Sequence, residues 1–226
     1  MLIVSNKSSK EFLEFLKTKN IDYLKTIDNP NIDKKLADHP DLSIFKINSS
    51  TLIVDESVYP YYKKNLKNVS IIKGERAGKL YPYDAIYNIV RFKNFYIHNN
   101  FTEKNIKEYF SANNISHIFV KQGYTRCSSL VLKEKILTSD YGIYKKLKNV
   151  VDVRLLKEEK IYLEGFEKGF LGGCFGIVKN NTIIFNGDIK KLNSYDIISK
   201  EANNEGLDIL YPKTDLKDTG SLIYVD

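Results

Sequence analysis

Residues 88–120, NIVRFKNFYIHNNFTEKNIKEYFSANNISHIFV, hold one complete structural unit. An apolar run follows Asn88, breaks at Lys93-Asn94 and resumes as FYIHN, which is the pattern of a β-hairpin across a short polar turn. Asn99 or Thr102 stands where a helix would be capped, and Ile106, Tyr109 and Phe110 recur at i, i+3 and i+4. A further apolar run, HIFVK, closes the unit as a third strand. The stretch therefore reads ββαβ.

The same grammar recurs along the chain. Five apolar strands each follow a small or polar residue: Ser43-IFKI, Asn88-IVRF, Ser129-LVLK, Gly176-IVKN and Ser221-LIYV. The intervals are 45, 41, 47 and 45 residues, within the range of repeat architectures. The turns fall at 48–50, Lys133 to Lys135 and Lys179 to Asn181, and the second strands are TLIVD, ILTSD and TIIFN. Asp55 or Ser57, Asp140 and Asn186 are the matching helix caps, and VSIIK, VDVRLL and DILYP the third strands. The fifth unit is split. SLIYV comes from the C-terminus, whereas MLIV, a helix from Ser8 to Lys17 and the strand IDYLK come from the N-terminus.

This pattern predicts one α/β domain over 1–226, a five-bladed pseudo-symmetric α/β propeller with a channel along its axis. Its repeats run approximately over 42–80, 81–122, 123–163 and 164–215, with 216–226 plus 1–41 as the fifth. Pairing of the N- and C-terminal strands would close it and remove open sheet edges. An open α/β sheet would accommodate the alternation of strands and helices, but it does not explain why the terminal fragments complete each other.

Composition narrows the function classes. The 226 residues are 42% hydrophobic and 28% charged, an ordinary globular balance. No apolar run approaches the roughly 18 residues that span a bilayer, and MLIVSNKSSKEF turns polar too early for a signal peptide. Two cysteines without a CxxC, and three histidines, exclude a disulfide framework and a Cys/His zinc site. A reducing cytoplasm is the expected setting, with no cofactor and no metal. The net charge of +7 permits an anionic partner without requiring one, because KKNLK and YKKLK read as solvated helix faces. GFLGGCFG lacks the lysine of a phosphate-binding loop and the spacing of a dinucleotide fingerprint.

The five-unit pattern resembles the penteins, the fold of the guanidino-group modifying enzymes, over the whole chain. Three motifs carry the resemblance further. Gly123-Tyr124-Thr125-Arg126-Cys127-Ser128-Ser129-Leu130 is similar to the segment bearing the nucleophilic cysteine of arginine deiminases. His39-Pro40-Asp41 is similar to their His-x-Asp element, and it lies two repeats from Cys127 as in the enzymes' ring. Asp218-Thr219-Gly220-Ser221-Leu222 stands where they carry Glu-Gly-Gly-Asp-Val. The chain departs from the pattern in two respects. Cys127 belongs to the third repeat, not the last, and Gly172-Gly173-Cys174 replaces a segment bearing a second guanidinium-binding aspartate. The sequence also resembles uncharacterised bacterial proteins assigned to this fold. Translation initiation factor six is a pentein without catalysis, so the fold alone does not define a function.

The resemblance implies Cys127 as nucleophile, His39 as acid and base, and Asp41 as a guanidinium-binding carboxylate. Asp218 is the expected second carboxylate, with Asp84 and Glu164 in reserve because both precede a first strand where loops reach the axis. These residue types suit the chemistry. A thiolate attacks carbon, imidazole moves protons near neutral pH, and carboxylates match the planar fork of a guanidinium. Arg126 is a candidate charge partner for the thiolate. Two functions follow: a cysteine-dependent hydrolase or transferase acting on a small guanidino or amidino compound through a thiouronium-type intermediate, or a silent pentein that binds a macromolecular partner. Cys174 reads as packing, His98 and His117 as core or rim residues, and Gly172-Gly173 as a turn or a close backbone approach.

Overall fold

The computed structural model describes residues 1–179 and 181–226. Its strands form five three-stranded sheets, and each sheet is one ββαβ unit. In the first, β3 (Ile44–Asn48) pairs antiparallel with β4 (Thr51–Val54), which pairs parallel with β5 (Ser70–Lys73) after the helix α2 (Tyr59–Asn65). The second holds β6 (Val90–Phe92), β7 (Phe95–His98), α3 (Lys104–Ala112) and β8 (Ser116–Phe119). The third holds β9 (Ser129–Val131), β10 (Ile136–Thr138), α4 (Tyr141–Leu147) and β11 (Val153–Leu155). The fourth holds β12 (Phe175–Val178), β13 (Thr182–Phe185), α5 (Tyr195–Asn204) and β14 (Asp208–Leu210).

The fifth sheet is drawn from both ends of the chain. β15 (Ile223–Tyr224) pairs antiparallel with β1 (Leu2–Val4), in the register Leu2 opposite Tyr224 and Ile3 opposite Ile223. After α1 (Lys10–Thr18), β2 (Tyr23–Lys25) pairs parallel with β1. The terminal fragments thus complete one unit, as the spacing predicts.

The core explains why the sheets stand side by side. Leu130 and Leu137 of the third unit pack with Phe175 and Ile183 of the fourth. Leu2 and Val4 of the fifth pack with Ile184 of the fourth. Ile3 and Ile223 pack in turn with Ile44 and Leu52 of the first. Phe45 of the first joins Tyr96 and Phe110 of the second, and Val90 and Ile97 of the second join Ile136 and Ile143 of the third. Each middle strand carries apolar residues on both faces, so each sheet buries one face under its own helix and the other against neighbours.

Helix capping departs from the expectations in three units. Glu103 caps α3, its Oε2 accepting from Ile106 N at 2.7 Å, whereas Thr102 bonds the His98 ring and Asn99 holds a turn at Phe101 N. Asp55 accepts from Ser57 N and Ala77 N, both at 2.7 Å, and α2 begins later, after Val58, without a side-chain cap. Asn186 donates to Lys217 O at 2.7 Å, and α5 starts only after a single 3-10 turn at Ile189–Lys191. In each case a buried polar side chain ties down a loop from elsewhere in the fold, a demand that local spacing does not register. Asp140 caps α4 and Ser9 caps α1.

Candidate active site

The residues that precede each first strand gather at one end of the first strands and are stitched to one another. Asp41 N donates to Gly220 O at 3.1 Å, and Ser221 N donates to Gly173 O at 2.9 Å. Asn88 Oδ1 accepts from Arg126 N at 2.8 Å and from Cys127 N at 3.1 Å. Five loops from five sheets therefore meet, and three of the four principal candidate side chains lie in direct polar contact with this network.

At its centre the Cys127 thiol donates to Asp41 Oδ2 across 2.9 Å, while Asn88 Nδ2 donates to the sulfur at 3.1 Å. Cys127 sits in the turn that leads into β9, not in the strand itself, so its side chain is not bound to strand alternation. Asp41 lies in a short 3-10 turn, Pro40–Leu42, and its Oδ2 also accepts from the Ser221 hydroxyl at 2.5 Å. Asp41 Oδ1 is buried without a hydrogen-bond partner. His39 packs its Cβ against Gly220, and its charge acts on Asp218.

Asp218 accepts from Phe170 N at 2.8 Å and from Gly220 N at 3.1 Å. Its carboxylate fills the space that a side chain at position 173 would need: a Cβ on Gly173 would come within 1.8 Å of Asp218 Oδ1. A Cβ on Gly172 would lie 2.4 Å from the Cys127 carbonyl oxygen. Gly172-Gly173 is therefore a close backbone approach, and Asp218 brings a carboxylate to the segment that lacks one of its own.

The electrostatics are those of an acidic, desolvated pocket. Burial, then the Asp41 and Asp218 carboxylates, push the Cys127 thiol well above its ordinary pKa, so the resting group is a thiol. Burial also raises Asp218, against the opposing pull of His39 and two backbone amides. Among the described residues, no lysine, arginine or histidine pairs with Asp41, Asp84 or Asp218. Buried carboxylates without an ion-pair partner favour a cation.

The remaining candidates lie further out. Asp84 is buried and accepts from Tyr124 Oη at 2.6 Å, and burial raises its pKa. Glu164 is exposed on a turn whose neighbour Gly165 accepts from Lys35, and it does not join the cluster. The Arg126 guanidinium turns away toward the Phe175 ring, 5.4 Å to the centroid, and toward Ser129 O. Cys174 is fully buried in the core between the third and fourth units. His98 is buried and His117 is an exposed rim residue stacked on Tyr96 at 4.4 Å.

Two participants were not singled out in the sequence, Asn88 and Ser221. Both are the polar residues that open a repeat, so the repeat register itself was their signal. The pocket differs in access from an open cleft. Cys127 is 3% exposed and His39 5%, and a cavity among the first strands reaches Asp41 and Arg126 but not the sulfur. The segment 169–173 packs directly on Cys127 and Asp218. Among the described residues no group of His, Cys, Asp and Glu is arranged to hold a metal, and no helix is long and apolar enough to cross a membrane.

The fold matches solved structures of the pentein class. Dimethylarginine dimethylaminohydrolase in an adduct with 4-chloro-2-hydroxymethylpyridine superposes with a TM-score of 0.54 at 10% identity, covering 94% of this chain and 92% of that one. The amidinotransferase SxtG from Microseira wollei gives 0.52 at 10% identity, over 96% and 81%. An agmatine deiminase from C. jejuni gives 0.53 at 13% identity, over 93% and 75%. The chain thus has the pentein fold of the guanidino-modifying enzymes. By sequence, residues 3–223 match a family model, and the chain belongs to that family, described as a family of unknown function (DUF6873). No curated protein sequence matches it.

Proposed function

We propose that this protein is a cysteine-dependent hydrolase or transferase of a small guanidino or amidino compound, built over 1–226 as one five-bladed propeller. The observation that carries the reading is the contact of Cys127 Sγ with Asp41, beside Asp218 and His39, in a buried pocket where neither carboxylate has a bonded counter-charge. A substrate cation would supply that charge, seated on the open Oδ1 of Asp41 and on Asp218. The same cation would favour the thiolate that burial and the two carboxylates now suppress.

In this reading the Cys127 proton passes to His39, and the thiolate attacks the central carbon of the substrate, forming the C–S bond. His39 returns the proton to the departing nitrogen as the C–N bond breaks, leaving a thiouronium adduct on Cys127. Water in a hydrolase, or an amine in a transferase, then loses a proton to His39 and attacks the same carbon. The C–S bond breaks and Cys127 regains its proton. Substrate entry requires the loops that bury Cys127 and His39 to move aside.

Alkylation tests this. A haloacetamidine, a cationic amidino reagent, should label Cys127 and spare Cys174, as read by peptide mass spectrometry. Asp41→Asn should slow the labelling at least tenfold by removing the reagent's anchor, while neutral iodoacetamide should discriminate less. A second reading, a silent binding module for a macromolecular partner, is supported by the burial of Cys127, which is 3% exposed. Equal and slow labelling of both cysteines in the folded protein would leave only that reading.

A further inference from the structure

The cavity among the first strands, about 210 Å³, has a wall chemistry the site above does not use. Its lining comes from all five units, and apart from Asp41 at one end its charged residues are cations: Lys46 on β3, Arg91 on β6, and Arg126. None of the three forms an ion pair among the described residues. Their hydrogen bonds are few and long: Arg91 Nη1 to Ile47 O at 3.4 Å and to Tyr109 Oη at 3.5 Å, and Arg126 Nη1 to Ser129 O at 3.3 Å. A guanidinium has five N–H donors, so most are unspent. Lys46 Nζ lies 5.8 Å from the centroid of the Tyr224 ring.

Holding these charges together is unfavourable. Burial and the field of Arg126 both lower the pKa of Lys46, against the opposing pull of Asp226. Two carboxylates offset this only in part, Asp226 acting on Lys46 and Asp41 on Arg126. Asp41 accepts from Cys127 and Ser221, and Asp226 is engaged by Ser49 and Lys179. Three cations from three sheets, on a mostly apolar wall with unused donors, form an arrangement completed by a compact anion.

We propose that this cavity is an anion-binding site that takes one small oxyanion, a phosphate or a short dicarboxylate, among Lys46, Arg91 and Arg126. The site is separate from the Cys127 sulfur and does not depend on the reaction proposed above. Arg126 adjoins Cys127 in the chain, so an anion held there also fixes the turn that carries the thiol.

Isothermal titration of the full chain with inorganic phosphate, and separately with malonate, tests the site at ionic strength held constant with sodium chloride. One saturable site per chain is expected. Lys46→Met and Arg91→Gln should each weaken it about tenfold, and Lys46→Arg should stay within about threefold of the parent, since charge-assisted bonds carry the affinity. Tighter phosphate than malonate assigns the phosphate class, and the reverse assigns the carboxylate class. Melting curves of each variant establish folding, with Lys46→Gln and Arg91→Met as substitutes where a variant fails to fold. No saturable binding of either anion, or binding unchanged in the folded variants, overturns the proposal. Because the readout is binding, a chemically inert Cys127 leaves the test intact.

Discussion

His98 holds two loops near the candidate site through a ring that must stay neutral. Its Nε2 lies 3.0 Å from Gly123 O and 3.2 Å from Ala85 O, so that nitrogen carries the proton, and Nδ1 accepts from the Thr102 hydroxyl at 2.9 Å. Burial depresses its pKa to about 4 from 6.5. The unfolded chain therefore takes up this proton first as pH falls. The contribution to stability is whole above about 6.5 and is lost progressively down to about 4, a total of roughly 3 kcal/mol. Urea unfolding of the parent and of His98→Gln at pH 7 and pH 4 should show the parent losing about that much more. Parallel pH dependence in the two proteins would remove His98 as the cause. Cys127 shows the opposite tension: burial suppresses its charged form, which is the form its proposed chemistry needs. Only a ligand cation reconciles the two, and this is why Asp41 and Asp218 matter more to the proposal than the motif around the cysteine.

Glu103 shows what an element can ask of a side chain that local pattern does not reveal. One carboxylate oxygen caps α3 at Ile106 N, and the other accepts from Glu75 N at 2.9 Å in the loop after β5. Glu103→Ala should cost about 2 kcal/mol, the loss of a cap together with a partly buried amide left unpaired, as measured by chemical denaturation. A loss below about 0.5 kcal/mol would mean that solvent replaces both bonds. The strands and helices themselves were legible in the sequence. Tyr96 on β7 packs with Ile106 and Phe110 on α3, and such burial of a strand face under one helix imposes the periods of two and of three to four that the sequence displays. The caps were less so, because Asp55, Asn186 and Glu103 serve loops distant in sequence. Of the candidate site, Cys127, His39, Asp41 and Asp218 were singled out through motif resemblance, and the structure brings Cys127, Asp41 and Asp218 together. Asn88 and Ser221 were visible only as repeat markers, and the packing of Gly172 and Gly173 on Cys127 O and Asp218 depends on close approach between separate sheets.

The fifth sheet fixes how the whole molecule holds together. β15 and β1 occupy the places that β6 and β7 occupy in the second unit, an antiparallel pair next to a parallel third strand. The difference is that Lys93 and Asn94 join β6 to β7, whereas nothing covalent joins β15 to β1. Packing of Ile3 and Ile223 with Ile44 and Leu52, and of Leu2 and Val4 with Ile184, holds that pair without a turn. A turn in any one unit is then dispensable, provided the chain remains continuous elsewhere. The Met1 amine already lies 2.6 Å from Val225 O, so a few glycines can link Asp226 to Met1. New termini at Lys93 and Asn94, both exposed and at a hairpin tip, would transfer the gap from the fifth unit to the second. This circular permutant should fold to the same secondary structure content and unfold in one cooperative transition, within about 2 kcal/mol of the parent, because the permutation exchanges one short loop closure for another. A permutant with native-like far-ultraviolet dichroism but no cooperative transition would show that the Lys93-Asn94 turn organises the second unit in a way the fifth unit does not require.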